Sequence, residues 1–188
     1  HLAQHPVGEV SLNSPEANRT LLYTINGGKA QVYKAPFNLR DGGIVKAWFK
    51  DNAKLSVEQA FTKIEDVPLS VAFVSSQETG SYDADLMVDE DTDTFWHTMY
   101  SVTVAQFPHW VDFDASAVKT MKGFVYVPRQ KGDNGLIKDY EIYVSQDGNN
   151  WGEPVAKGSF PNSRADQRVM FAQPVKARYI RFKALHSL

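Results

Sequence analysis

Apolar and polar residues alternate along much of this chain with a period of two. Between residues 138 and 145, Tyr140, Ile142 and Val144 fall on one side, and Asp139, Glu141 and Tyr143 on the other. Residues 178–184 do the same, with Ile180, Phe182 and Ala184 opposed to Tyr179, Arg181 and Lys183. Side chains of an extended strand point alternately to its two faces, so this period predicts half-buried β-strands. Residues 21–25, 44–49, 71–75, 110–113 and 121–127 carry further strand signals. Asn26-Gly27-Gly28, Asp41-Gly42-Gly43, Asp133-Asn134-Gly135 and Asp147-Gly148-Asn149 read as the turns between them. No long helical period is present, and less than a tenth of the chain is expected to be helical. Many short strands with Gly, Asn and Asp punctuation predict an all-β protein built from sandwiches. A break at Ile64-Glu65-Asp66-Val67-Pro68 divides it into residues 1–66 and 67–188, two sandwiches in tandem.

Composition narrows the function. The 188 residues suit one large or two small domains, and 43% hydrophobic with 12% aromatic residues is enough for packed cores. Net charge is −2, with basic residues scattered rather than striped, so nucleic acid is not an expected partner. No apolar run approaches the roughly 20 residues of a membrane-spanning helix, and no membrane span is expected. The absence of cysteine excludes disulfides and cysteine-based metal sites or nucleophiles. The opening His1-Leu2-Ala3-Gln4 has the look of a processed product or a piece of a longer chain. There is no HExxH, GxSxG or phosphate loop, and no carboxylate pair stands out as a glycosidase acid and base. The chain is not expected to be an enzyme by itself.

The chemistry concentrates in Asp89-Glu90-Asp91-Thr92-Asp93-Thr94-Phe95-Trp96-His97. Acids at every second position suit either a solvated turn capping a strand or an oxygen cage for a hard cation. An EF-hand is excluded: Thr94 stands where that loop needs glycine, and Tyr100 where it needs a bidentate glutamate.

The first half, through Tyr23-Thr24-Ile25-Asn26-Gly27, Tyr33-Lys34-Ala35-Pro36 and Val45-Lys46-Ala47, resembles the small immunoglobulin-like module that follows the catalytic domain of chitobiase and hexosaminidase-type enzymes. The resemblance covers roughly residues 8–64 and implies a spacer. The second half carries DEDTDTFWHTMYS, FPHWVDFD, GFVYVPRQKGDNGLIKDYEIYVSQDGNNWGEPVAKGSF and ARYIRF in that order. It resembles the discoidin, or coagulation-factor type C, domain, and within it the galactose-binding family 32 carbohydrate-binding modules, such as the N-terminal domain of galactose oxidase. That resemblance runs from about residue 67 to 185.

It implies a jelly-roll sandwich with a structural calcium, held by Asp89 and Asp91 side chains, Thr94 through hydroxyl or carbonyl, and the Leu86 backbone; Glu90 stands where the family has glycine. It also implies a sugar site of Glu78, His97 and Arg129, with Asn134 as a fourth member and Tyr100 or Phe107 as an aromatic wall. Each has a plainer alternative: Arg129 paired with a carboxylate, Glu78 a solvated acid, His97 a core histidine. Trp151 is expected to pack beneath its hairpin turn, and Trp110 in the core. In the family a last loop and strand supply an aromatic residue and a glutamate to the calcium shell. Here the sequence ends at Leu188, so that last strand is expected to be missing.

The resulting expectation is a non-catalytic module that binds glycans with terminal galactose. It would be attached to a secreted glycoside hydrolase of fucosidase, β-galactosidase, sialidase or hexosaminidase type, whose catalytic domain is a second partner. Its location would be extracellular, periplasmic or at the cell surface. The alternative is a structural, protein-binding or phospholipid-binding module.

Overall fold

A computed structural model describes residues 1–4, 8–16, 18–132 and 134–188. Asp133, in the expected Asp133-Asn134-Gly135 turn, lies outside them. Two compact units, His1–Asp66 and Val67–Leu188, make up the chain. Among the described residues there is no α-helix, only a four-residue 3-10 turn at Ala84–Met87. None of the described residues forms a helix long and apolar enough to cross a membrane.

The first unit holds β1 (Leu2–Gln4), β2 (Glu9–Leu12), β3 (Leu21–Ile25), β4 (Gln31–Val32), β5 (Phe37–Asn38), β6 (Gly43–Phe49) and β7 (Asn52–Phe61). They form two antiparallel sheets, ordered β1-β2-β5 and β4-β3-β6-β7. Leu2, Val10 and Leu12 of one sheet share a core with Tyr23, Val45 and Ala47 of the other, so the sheets face each other as a small sandwich. Tyr23 stacks on Phe37 at 4.2 Å.

The second unit holds β8 (Ser70–Val74), β9 (His109–Tyr126), β10 (Ile137–Ser145), β11 (Ala156–Ser159) and β12 (Gln167–Ser187), in the order β11-β10-β12-β9-β8. β9 and β12 are long and pair antiparallel over most of their length, with register shifts between Met170 and Val175 and between Ala177 and Tyr179. Such irregularities bend strands. The bend folds the sheet over itself: Phe124 and Tyr126, at one end of β9, lie 6.1 and 5.8 Å from Phe182, near the far end of β12. Tyr140, Phe160 and Phe171 complete this aromatic core around the fully buried Val111 and Ile142. Gly123 permits the closest approach within the ladder, since a Cβ there would lie 2.2 Å from the Val169 carbonyl oxygen.

The outer face is polar but tightly paired. Asp112 is buried and accepts two hydrogen bonds from Arg181, at 2.6 and 2.8 Å. Arg178 grips Asp114 in the same two-pronged way, at 2.8 Å for both bonds. Trp110 corrects an expectation. It pairs with Lys183 while its neighbour Val111 takes the inward position, so the indole lies half-buried on the outer face, stacked on Phe73. Trp151 lies 4.3 Å from the Arg181 guanidinium, half-buried on the same cation.

Candidate functional site

Backbone hydrogen bonds lace residues 78, 82 and 97 together. The Glu78 N–H donates to the His97 carbonyl at 2.9 Å, the Tyr82 N–H to the Glu78 carbonyl at 2.9 Å, and the His97 N–H to the Tyr82 carbonyl at 3.1 Å. Trp96 turns inward, packs on the core and donates its indole N–H to the Ser76 carbonyl at 2.9 Å. Its neighbours Phe95 and His97 turn the other way. There Tyr82 stacks on Phe95 at 4.7 Å, and Tyr100 meets the His97 ring edge-on at 4.9 Å. The Arg129 guanidinium lies 3.9 Å above the Phe95 ring. With Asn134 these residues line a recess of about 370 Å3.

Arg129 is held by its own loop. Nε donates to the Lys131 carbonyl and Nη1 to the Asn134 carbonyl at 3.1 Å. Gly132, at φ +76°, lets the loop close over it, since a Cβ would fall 2.8 Å from Nη2. Arg164 fixes the loop from behind, donating to the carbonyls of Arg129 and Gly132 at 2.7 and 2.8 Å. Two donors of the guanidinium fork are thereby used, and Nη2 has no acceptor among the described residues. The alternative of Arg129 paired with a carboxylate finds no such ion pair among the described residues.

His97 Nδ1 lies 2.7 Å from the Thr98 carbonyl oxygen. A carbonyl oxygen only accepts, so Nδ1 carries the proton, and in the neutral ring Nε2 presents a lone pair. The recess therefore offers an acceptor on His97, donors on Arg129, and aromatic surface on Tyr82, Phe95 and Tyr100.

Glu78 is not among the residues lining it. Its carboxylate accepts the Ser101 hydroxyl and the backbone N–H groups of Tyr100 and Ser101, the latter two at 2.8 and 3.1 Å. Those bonds, the hydroxyl foremost, hold its pKa below the usual carboxylate value, with help from nearby His97. Glu78 is thus a positioning residue that fixes the segment carrying Tyr100. Phe107 also falls outside the recess and packs on His109 at 4.4 Å. Burial, with His97 as the lesser cause, pushes the His109 pKa down. Tyr82 and Phe95 were not anticipated; Phe95 had a signal, since it stands two residues before His97, with the inward-turned Trp96 between them.

In the acidic loop, Thr94 Oγ1 sits 2.7 Å from Asp89 Oδ2, 2.9 Å from the Asp91 carbonyl oxygen and 3.4 Å from the Leu86 carbonyl oxygen. One hydroxyl proton cannot serve three acceptors, so a carboxylate, a hydroxyl and two carbonyl oxygens converge here, oxygen donors of the kind a hard cation takes. Asp91 comes close through its carbonyl, while its Oδ1 accepts the Asp93 N–H at 2.9 Å, as Asp89 Oδ1 accepts the Asp91 N–H at 2.9 Å. Glu90 adopts φ 64°, the left-handed conformation that glycine takes without strain. No cluster of three or more His, Asp or Glu side chains suited to a metal occurs among the described residues. A cation here would rest on carbonyls and the Thr94 hydroxyl beside Asp89.

Compared with known protein families, residues 72–187 match the F5/8 type C domain. The chain belongs to this family. Its F5/8 type C domain has relatives in several larger proteins. A sialidase of Micromonospora viridifaciens is 38% identical over 138 residues, covering 71% of this chain and 21% of the sialidase. Lacto-N-biosidase of Bifidobacterium bifidum is 32% identical over 185 residues, covering 86% of this chain and 17% of that protein. Galactose oxidase of Gibberella zeae is 40% identical over 101 residues, covering 52% and 15%. The chain thus spans about a fifth or less of the length of these relatives. Among solved structures, the Clostridium perfringens module CpGH89CBM32-5, in complex with GalNAc-β-1,3-galactose, superposes with a TM-score of 0.61 at 26% identity, covering 66% of this chain and 91% of the module. The family 32 module of Clostridium perfringens NanJ, in complex with galactose, gives 0.58 at 25% identity, covering 65% and 88%. The F5/8 type C domain is therefore an all-β sandwich of the family 32 carbohydrate-binding type.

Proposed function

We propose that this chain is a non-catalytic carbohydrate-binding module, an accessory region of a larger secreted glycoside hydrolase, that binds terminal galactose-type sugars in the recess at Arg129. The observation that carries the reading is the placement of the His97 acceptor and the Arg129 donors over a floor of aromatic rings. A galactose ring has an axial hydroxyl that both donates and accepts, and a C–H face that suits aromatic surface. The axial hydroxyl would donate to His97 Nε2 and accept from the Arg129 fork, with Asn134 beside them. Tyr82, Phe95 and Tyr100 would exclude water from the ring face. Glycan complexes of the two Clostridium perfringens modules support the same sugar class.

Calcium is proposed as a structural cofactor, held by Asp89, Thr94 and the carbonyls of Leu86 and Asp91. It would meet those oxygens with positive charge and stiffen the turn that leads into Phe95-Trp96-His97. A location outside the cell or in the periplasm goes with this reading.

Interaction with protein or phospholipid has one observation in its favour: Val102 and Val104 are 81% and 70% exposed at a loop tip beside the recess. Residues 98–108 contain no lysine or arginine to meet a phosphate headgroup. The sugar reading is the better supported. A glycan array probed with the full chain tests it: signals should concentrate on terminal galactose and N-acetylgalactosamine, and an array silent for both overturns it.

A further inference from the structure

β7 is the longest strand of the first unit and stands at the edge of its sheet, paired among the described residues with β6 alone. All eight of its interior residues are exposed. Leu55 and Val57 are 55% and 41% exposed, yet they lie on the face that packs the core, because Val57 sits opposite the buried Ala47. Together with Leu2, Leu12, Leu21 and Phe49 they line an apolar groove of about 170 Å3. An open edge beside uncovered apolar side chains is a template for another strand.

Register shows which groups the edge presents. The Asn26 N–H donates to the Ile44 carbonyl across β3 and β6, so Ile44, Lys46 and Trp48 direct their backbone groups toward β3, and Val45 and Ala47 toward β7. Their partners Gln59 and Val57 therefore face β6, while Ser56 and Glu58 turn N–H and C=O outward. The Lys54 N–H, in the register shift between Ser56 and Asn52, donates to Asn52 Oδ1 at 3.1 Å.

The segment Lys54-Leu55-Ser56-Val57-Glu58 is complementary to itself when reversed about Ser56. Antiparallel pairing with a second copy sets Ser56 opposite Ser56, with the outward backbone groups of both in hydrogen-bonding positions. Lys54 falls opposite Glu58 of the second copy, and Glu58 opposite its Lys54. Lys46, already opposite Glu58 in β6, extends that face as a row of alternating charge. On the other face Leu55 meets Val57 of the second copy, and the two apolar grooves adjoin. We infer that β7 is a homodimerisation edge, forming a two-fold symmetric sheet across two copies of this chain. A dimer would carry two sugar recesses, and weak single-site binding would gain from avidity.

The test is mass by light scattering during size-exclusion chromatography of the full chain, from micromolar to millimolar concentration. The mass should rise from one chain to two, and the Ser56 and Glu58 amides should exchange more slowly with deuterium as it does. Lys54→Glu and Glu58→Lys each place like charges at both crossing points, and each should raise the dimer dissociation constant about tenfold or more. An equimolar mixture of the two variants restores opposite charges at both points and should dimerise, which also shows that neither is misfolded. A wild-type chain monomeric at millimolar concentration overturns the inference, including the case in which β7 accepts some other strand. Single variants that dimerise like wild type, or a mixture that stays monomeric, overturn it equally.

Discussion

Replacing Phe95 with leucine removes the ring beneath Arg129 and leaves an apolar side chain of similar bulk. Two interactions are lost: the guanidinium contact at 3.9 Å and the stack on Tyr82 at 4.7 Å. A cation over an aromatic face contributes about 0.5–1 kcal/mol where it is partly exposed, and an aromatic pair about 0.5–1.5 kcal/mol. Stability should therefore fall by about 1–2 kcal/mol, a loss of several degrees in Tm for a unit of this size. Only the part that holds Arg129 in place bears on the sugar. About 1 kcal/mol of lost preorganisation corresponds to roughly a fivefold weaker Kd. Calorimetric titration with galactose measures the second effect, and differential scanning calorimetry the first. If Phe95→Leu binds galactose as tightly as wild type while melting lower, the ring is packing alone and its role in the site is refuted.

Three further outcomes follow from other parts of the structure. Thr94→Val should cost about 1 kcal/mol in chelator and should abolish the rise in Tm expected of the wild-type chain on adding calcium; an equal calcium response in both would place the cation elsewhere. Glu78 has a folded pKa below its ordinary value, so its contribution is fully present above that ordinary value and disappears as pH falls through the depressed one. Amide exchange at Tyr100 and Ser101 should accelerate in that acid window, and Glu78→Gln should remove the pH dependence. Asp112→Ala strands Arg181, and because that side chain is 25% exposed the cost should be about 2–3 kcal/mol by urea unfolding, below that of a fully buried pair.

Period-two alternation was enough to find the strands at residues 138–145 and 178–184, where one face is more deeply buried than the other. It failed where that contrast is absent. In β7 the alternation is confined to Leu55 and Val57 among polar neighbours, too short a run to stand out. The first half of β12 contains Pro174, which argues against a paired strand; the structure accommodates it at the register shift between Met170 and Val175. Residues 115–118 have no partner in β12, yet β9 runs on through the register shift between Ala177 and Tyr179 and merges two expected strands. Trp110 was assigned inward on its apolarity, but parity with Val111 sends it outward. In the site, His97, Tyr100, Arg129 and Asn134 come together because their loops are cross-braced by Arg164 and Glu78. Which oxygens Glu78 would satisfy was invisible in sequence, since its partners lie more than twenty residues away.

Titration of the full chain with galactose and with glucose tests the central claim most directly, because the two sugars differ only in whether one hydroxyl is axial. The account predicts a galactose Kd of about 0.1–1 mM, as suits a shallow site with few polar contacts. Glucose should bind about tenfold more weakly or worse, since its equatorial hydroxyl leaves His97 and Arg129 unmatched. Arg129→Ala should lose galactose binding altogether. Equal binding of the two sugars, or galactose binding that survives Arg129→Ala, would contradict it.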